Sequence, residues 1–255
     1  SNYSADKVSG LIELCNEHHL VFKFVPNMYQ TITTNIEMES INGLPLIELK
    51  RTALDGWGKV IKRIVDVAGA CVGFVLIAPL MAVVAFAIKW ETAGPVLVRL
   101  KRISRNKEFE LIKFRSMVRN AEELKASLAV FNERPDGPLF KIKNDPRITG
   151  VGRFIRKYRI DELPQFINVL KGDMSLVGPR PHQPDEIDKY QMHHKKVLAI
   201  KAGATGLAQV SGSSDLPFEQ EVTLDTFYIE NWSLLMDLKI ILKTAFKMFT
   251  DKSAV

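Results

Sequence analysis

The sequence predicts an α+β fold held at a membrane: a monotopic protein with a re-entrant helix-break-helix, a small β-hairpin and several amphipathic or interfacial helices. Three observations predict it. Residues 67–88 form a stretch of 22 residues without a charge. Two β-rich runs follow it, separated by a short polar turn. Apolar residues then recur at helical spacing over 163–170 and again over 232–249.

Composition sets the bounds. A chain of 255 residues holds one large domain, or one domain and an appendage, and can bury a real core. Hydrophobic residues make up 46% and charged residues 25%, which excludes a disordered chain and a protein of many membrane spans. The formal charge of +6 suits a polyanionic partner, whether nucleic acid, a phosphate-bearing substrate or an anionic membrane surface. Cys15 and Cys71 lie far apart and outside any C-x-x-C pair, so neither a disulfide framework nor a zinc site is expected. A reducing, cytosol-facing environment fits this usage. The chain starts at Ser1 without a charged-then-apolar leader, and it is expected to be a piece of a longer protein.

Residues 1–56 read as the end of a larger α/β domain. A helical pattern covers 5–19, and Val21-Phe22-Lys23-Phe24-Val25 reads as a strand closed by Pro26-Asn27. Residues 57–255 form the second unit. In it the run 67–88, as a helix, would reach roughly 33 Å, about the hydrocarbon thickness of a bilayer. Pro79 stands near its centre, where it removes a backbone hydrogen bond and clashes with the preceding turn. Lys59, Lys62 and Arg63 precede the run, and Lys89, Arg99, Lys101, Arg102 and Arg105 follow it. Basic residues favour the cytoplasmic side. Two basic flanks therefore favour a helix over about 60–90 that enters, bends at Pro79 and returns, in preference to a straight span.

Residues 96–103 and 108–114 are rich in β-formers, with Ser104-Arg105-Asn106-Lys107 as the hairpin turn between them. A helical pattern over 120–131 stops at Pro135-Asp136-Gly137-Pro138. Between Phe140 and Ile160 come seven Lys or Arg residues and a single acid, Asp145. Towards the C-terminus Leu234, Leu238, Ile241, Ala245 and Phe249 share a helical face, and Lys239, Lys243 and Lys247 fall four apart. With Trp232 at its start this helix suits a membrane surface, and it equally suits packing on the domain.

The densest chemistry lies in 159–173. Leu163, Phe166, Ile167 and Leu170 make an i, i+3, i+4, i+7 stripe stopped by Gly172, which puts Asp161 at the N-cap and Pro164 in the first turn. One reading is structural: Asp161 caps the helix and Glu162 complements its dipole. The other is chemical. Adjacent carboxylates at a helix start, with Arg147, Arg153, Arg156, Lys157 and Arg159 upstream, could hold Mg²⁺ and a diphosphate together. Alternatively, one carboxylate attacks phosphorus as a nucleophile. The cations matter because phosphoryl transfer is catalysed mostly by positioning and charge neutralisation. Pro179 and Pro181 fix the backbone around Arg180 and present its guanidinium, and alternation puts Lys113 and Arg115 on one strand face. There is no D-x-D pair, P-loop, dinucleotide fingerprint, H-E-x-x-H or G-x-S-x-G. The histidines lack metal-ligand spacing and read as surface residues. Stacking aromatics do not interleave with the cations, so nucleic acid is not an expected partner.

Lys113-Phe114-Arg115-Ser116-Met117, Asp161-Glu162-Leu163-Pro164-Gln165 and the run from Lys171-Gly172-Asp173 to Gly178-Pro179-Arg180-Pro181 resemble, in order and spacing, the bacterial monotopic phosphoglycosyl transferases. The resemblance covers about residues 57–250. It implies that Asp161 attacks the sugar-bearing phosphate of a UDP-sugar, releases UMP and holds the phospho-sugar. Polyprenyl phosphate, such as undecaprenyl phosphate, would then take it to give a polyprenyl-diphosphate sugar, an early membrane step of surface polysaccharide synthesis. Glu162 would assist through Mg²⁺ or proton handling. Lys113, Arg115, Arg147, Arg156, Pro179, Arg180, Pro181, Gln209 and Asp225 would line the substrate site, with Tyr228 beside Asp225 as a polar pair. The resemblance further implies a re-entrant helix broken at Pro79, a Rossmann-like origin for residues 1–56, a bacterial inner membrane with the catalytic domain facing the cytoplasm, and a homodimer. The sequence departs from the family at three places. Ala78 stands where Ser often precedes the proline, Lys201-Ala202-Gly203-Ala204-Thr205-Gly206 replaces Arg-Pro-Gly-Ile-Thr-Gly, and Ser213 stands where a basic residue often follows Gly212. A non-catalytic membrane adaptor that binds nucleotide or partner proteins is the alternative, and the presence of Asp161, Glu162 and Arg180 argues against it.

Overall fold

The computed structural model describes residues 36–41, 44–49, 54, 56–121, 123–127, 142, 145–191, 193–212 and 216–250. The helix and strand expected over 5–25 and the break at 135–138 lie outside the described residues. The chain divides into two compact units, Ser1–Arg51 and Thr52–Val255. In the first, β1 (Ile36–Ile41) pairs antiparallel with β2 (Leu44–Leu49), Ile41 opposite Leu44.

The second unit opens with α1 (Trp57–Glu91), a helix of 35 residues with Pro79 inside it. The expected helix-break-helix is here one continuous element. A proline removes a single i→i−4 bond, and tertiary contacts along the rest of the helix carry it across that gap. Lys62, Asp66, Ala70, Val84 and Ile88 are buried, Phe166 packs over Gly73, and Ile77 and Met81 pack between them. These positions advance by four, four and three residues, about 3.7 per turn, so they form one straight stripe against the domain. The opposite face leaves Ile64, Val72, Val75, Leu76, Val83 and Phe86 exposed. Both ends of α1 are tied to the same unit. Arg63 donates to the carbonyls of Val169 and Leu170 at 2.6 and 2.9 Å, and the Glu91 carboxylate accepts from the Val151 N–H at 3.1 Å. Lys62, counted above among the flanking cations, is also engaged internally: it is buried and lies 2.7 Å from Asp237.

The hairpin forms close to where the pattern puts it, as β3 (Leu97–Ser104) and β4 (Lys107–Phe114) in antiparallel register, Ser104 opposite Lys107. Arg105 and Asn106 both take positive φ, 51° and 58°. That is the two-residue turn whose twist matches the strands. The short helix α2 (Glu123–Ser127) follows, then α3 (Gly150–Lys157) and α4 (Gln165–Lys171). Gly172 stops α4 at φ 92°, as its glycine predicts, with its N–H on the carbonyls of Asn168 and Val169. β5 (Ser175–Val177) pairs parallel with β6 (Gly203–Thr205). The two chains meet so closely that a Cβ on Gly203 would collide with the backbone of Gly178. Between them lie α5 (Pro184–Ile187) and a 3₁₀ turn, His194–Ala199; α6 (Leu207–Ser211), α7 (Phe218–Glu230) and α8 (Leu234–Thr250) complete the unit.

Asn168 joins α4 to the hairpin. Fully buried, it accepts from the Ile112 N–H at 2.9 Å and donates to the Glu110 carbonyl at 2.7 Å, so its amide continues the ladder of β4 like a strand neighbour. Asn168→Leu keeps much of the volume and strands one buried N–H and one partly buried C=O. Each unsatisfied group costs about 1–3 kcal/mol, so a loss of roughly 2–5 kcal/mol is expected in chemical unfolding of the detergent-solubilised protein. Stability within about 0.5 kcal/mol of wild type would contradict this role.

The C-terminal helix turns Leu234 and Leu238, on the face read as meeting either a membrane surface or the domain, away from the core. Asp237 and Ile240 are buried, while Leu235, Leu238, Leu242 and Phe246 are exposed. The cause is Asp237, which enters the interior to meet Lys62 and Tyr228 and rotates Leu234 and Leu238 outward. Trp232 also points inward, donating from Nε1 to Asp237 at 3.2 Å. His182 and His194, read as surface residues, are buried in an aromatic cluster with Tyr190 and Phe218.

Candidate active site

Thr149 caps α3, its hydroxyl accepting from the Gly152 N–H, and the helix ends at Tyr158. Arg159 then adopts a left-handed φ of 55° and turns the chain into a 3₁₀ turn, Ile160–Glu162. That conformation costs a residue with a β-carbon about 1–2 kcal/mol. Asp161 is therefore not the N-cap of the following helix. Pro164 takes that position, and α4 starts at Gln165, because the proline imposes its own first turn. The two acids stand on a short, sharply turned segment between two helices.

Four stretches of chain bring charge to this segment. Lys113, from the end of β4, donates to Glu162 Oε1 at 2.6 Å. Arg156 comes from α3 and acts on Asp161; Arg159 and Arg180 act on Glu162. Arg180 is exposed between the buried Pro179 and Pro181, as the two prolines require. Asp161 is only 8% exposed. Burial pushes its carboxyl up to about 6, with the Glu162 charge adding to the rise and Lys113 and Arg156 opposing it. Glu162 goes the other way. Burial would raise it too, but the Lys113 ammonium and its hydrogen bond, aided by Arg180 and Arg159, hold it at about 2. Adjacent carboxyls driven apart in this way take different roles, one permanently anionic and one poised near neutrality.

The other expected site residues are placed as follows. Arg115 is buried, and its guanidinium donates to the carbonyls of Thr92 and Ala93 and to the Thr92 hydroxyl, clasping the end of α1. Arg147 is buried in a two-pronged pair with Asp145 and donates to the Ala121 carbonyl. The structure engages both guanidinium groups in holding the fold. Gln209 is half-buried on α6 beside Gly206. Asp225, fully inside α7, accepts from the backbone of Ala208 and Arg180, and burial followed by the Glu221 charge pushes its carboxyl up to about 8. It thereby ties the Arg180 loop to α6 and α7. Tyr228 does not pair with it; its hydroxyl donates to Asp237 at 2.7 Å. Asn168 was not singled out, although it lies inside the motif, and Arg159 was named only as one of the upstream cations, because neither a ladder-capping amide nor a left-handed arginine has a signature in spacing.

One other cluster deserves weighing. His193, His194 and Glu219 converge closely enough for a metal ion. His194 Nδ1 accepts from the Gln191 N–H at 3.1 Å, so the neutral ring carries its proton on Nε2 and donates it to Glu219 at 2.8 Å. Ligand histidines do the reverse, donating from the far nitrogen. The cluster is a hydrogen-bonded surface corner.

Comparison with known proteins agrees with the motifs. The model of the bacterial sugar transferase family matches residues 57–251. A galactosyl transferase, CpsE, of Streptococcus agalactiae is 46% identical over 187 residues, covering 72% of this chain and 41% of that protein. An undecaprenyl-phosphate galactose phosphotransferase of Salmonella typhimurium is 38% identical over 241 residues, covering 92% and 50%. A UDP-glucose:undecaprenyl-phosphate glucose-1-phosphate transferase of Klebsiella pneumoniae is 37% identical over 244 residues, covering 91% and 49%. The chain thus spans half or less of the length of these relatives. Its second unit carries the matched region, the paired acids and the cations around them, and by that match the chain belongs to the bacterial sugar transferase family.

Proposed function

We propose that this chain transfers a sugar 1-phosphate from a UDP-sugar to a polyprenyl phosphate, with Asp161 as the nucleophile. The observation that carries the reading is the convergence of Lys113, Arg156, Arg159 and Arg180 on the adjacent Asp161 and Glu162. A Asp161 carboxylate oxygen attacks the sugar-bearing phosphorus, and the bond from that phosphorus to the bridging oxygen breaks. UMP departs with the bridging oxygen and its electron pair, leaving the phospho-sugar on Asp161. An oxygen of the lipid phosphate then attacks the same phosphorus and frees the carboxylate. Arg180 and Lys113 neutralise the charge that collects on the phosphoryl oxygens. The names of the Salmonella and Klebsiella relatives support the lipid acceptor, and the Klebsiella name supports a UDP-sugar donor.

The acids also fit a hard divalent cation. Asp161 and Glu162 are adjacent oxygen donors, and Lys113 is bonded to Oε1 of Glu162 only. Mg²⁺ held there would screen the diphosphate and the leaving UMP.

Membrane attachment rests on α1, whose most apolar window has a mean hydropathy of 2.7 and is 11% buried. The two basic flanks favour a dip and return at Pro79, although α1 runs unbroken through that residue. In this reading Asp161 faces the cytoplasm, where the UDP-sugar donor would be met.

The test is UMP release from a panel of UDP-sugars in detergent with Mg²⁺ and undecaprenyl phosphate. One sugar should yield UMP in multiple turnovers only when the lipid is present; no sugar yielding UMP would leave the adaptor reading. The pH profile adds a second check. The nucleophile must be ionised and its carboxyl is raised to about 6. kcat/KM should therefore be flat above that pH and fall about tenfold per pH unit below it. A profile that stays flat to pH 5 and does not shift with Mg²⁺ concentration would be incompatible with Asp161 as the attacking group, because a bound cation lowers the carboxyl that it touches.

A further inference from the structure

At the other end of α4 lies a second basic site that the transfer reaction does not use. A cavity of about 220 Å³ is lined by Lys59, Lys62, Arg63, Asp66, Arg105 and Lys201, with Leu54, Ser175, Ala199 and Ile200 completing its wall. All of these residues belong to the second unit. Arg63 and Lys201 approach Gly172, where α4 ends, whereas Asp161 precedes its start. Seven helical residues separate the two by about 10 Å or more.

Five cations face one acid, and that acid is already occupied. Asp66 Oδ1 accepts from the Ser175 hydroxyl at 2.9 Å and from the Leu176 N–H at 3.0 Å. Lys62 is balanced by Asp237. Arg63 is hydrogen-bonded to carbonyls, which leaves its charge uncompensated. Lys201 and Arg105 have no hydrogen-bond or ion-pair partner among the described residues. Burial, then the Arg63 charge and after it Arg105, lowers the Lys201 ammonium, with Asp66 and Asp173 opposing. Arg105 also holds the first position of the hairpin turn at φ 51°, where Asn, Asp or Gly is favoured. A charged side chain is kept there against the local backbone preference.

We propose that this cavity binds a phosphate-bearing anion, a phosphate or diphosphate group, between Arg105, Lys201 and Arg63. Uncompensated cations lining a partly apolar pocket fit the charge density of such a group; the guanidinium fork of Arg105 and the Lys201 ammonium can bond its oxygens, and Arg63, held on its two carbonyls, adds charge. The source is a soluble ligand. Lys59, Lys62, Arg63 and Asp66 lie on one side of α1, while the exposed Trp57, Ile61, Ile64 and Val65 lie on the other, so the pocket faces away from the helix's lipid-seeking surface. This site stands independently of the reaction proposed for Asp161.

The probe is inorganic pyrophosphate, titrated calorimetrically without Mg²⁺ into the full chain in zwitterionic nanodiscs. Binding should weaken tenfold or more in R105A/K201A and hold within about twofold in K201R and in R180A. Loss in R180A with retention in R105A/K201A would assign the anion to the Asp161 site and overturn the proposal. Equal binding in all variants, or none in any, would overturn it as well, with one exception. If pyrophosphate fails but phosphatidylglycerol co-purifies with wild type and not with R105A/K201A, the phosphate is a lipid headgroup and only its assigned source is wrong. Thermal unfolding of each variant within a few degrees of wild type shows that the comparison reads the pocket.

Discussion

Asp161→Asn should abolish turnover, with kcat/KM lower by on the order of 10³-fold or more, while the protein remains folded. The amide is nearly isosteric with the acid, so the 3₁₀ turn and the 2.6 Å bond from Lys113 to Glu162 survive the change. What is lost is the anionic oxygen. Burial and the Glu162 charge already make that oxygen's ionisation costly, which keeps it reactive once formed. Glu162→Gln should behave differently. It removes the permanent charge that Lys113, Arg159 and Arg180 surround, so positioning suffers but a nucleophile remains, and a loss of about 10²-fold is expected. Intact-mass measurement after mixing with UDP-sugar alone separates the two. Wild type should gain the mass of one phospho-sugar, and Asp161→Asn should gain none. An Asp161→Asn protein that retains a tenth of the activity, or carries the phospho-sugar on another residue, would remove Asp161 from the chemistry.

The cations around this site show what a sequence can and cannot disclose. The family resemblance put Lys113, Arg115, Arg147, Arg156 and Arg180 together at the substrate site. In the fold Lys113 and Arg180 bring their charge to Glu162, and Arg156 brings its charge to Asp161. Arg115 and Arg147 instead find carbonyls and a carboxylate close at hand. Sequence distance does not report that difference. Arg147 meets an acid two residues away, but Arg115 meets Thr92 only because β4 returns beside the end of α1. Arg180 was legible for a local reason, since its flanking prolines fix the backbone regardless of context.

Local chemistry explains the other successes and failures too. The β3–β4 hairpin and the Gly172 stop follow from turn residues and are placed within a residue. The β1–β2 hairpin carries an equally strong signal, Asn42-Gly43 between two apolar-rich runs, that went unread among residues taken as a fragment. The start of α4 was misplaced by three residues because an N-cap signal at Asp161 competes with Pro164, and the proline wins. The face of α8 could not be read from hydrophobicity. Leu234 and Leu238 obey the helical period, but Asp237, a charge, is the residue that goes inside.

Asp237→Ala is the largest stability loss expected anywhere in the second unit. Asp237 Oδ2 takes the Lys62 ammonium at 2.7 Å and the Trp232 N–H at 3.2 Å, and Oδ1 takes the Tyr228 hydroxyl at 2.7 Å. Three donors, from α1, from α7 and from the link before α8, thus end on one buried carboxylate. Alanine leaves an ammonium that is almost wholly buried, with Asp66 3.7 Å away as its remaining counter-charge and that oxygen already bonded to β5. Removing one partner of a buried pair costs about 3–5 kcal/mol, far more than the pair contributes against an apolar replacement. The expected shift in the melting temperature of the solubilised protein is on the order of 10 °C for a unit of this size. The double variant Lys62→Met/Asp237→Leu supplies the decisive comparison. With no charge left to strand, it should recover most of the loss, and the coupling in the cycle should reach about 2 kcal/mol or more. Additive losses would mean that Lys62 and Asp237 act separately, and the clamp joining α1 to α8 would have to be sought in the apolar contacts around Ala70 and Ile240.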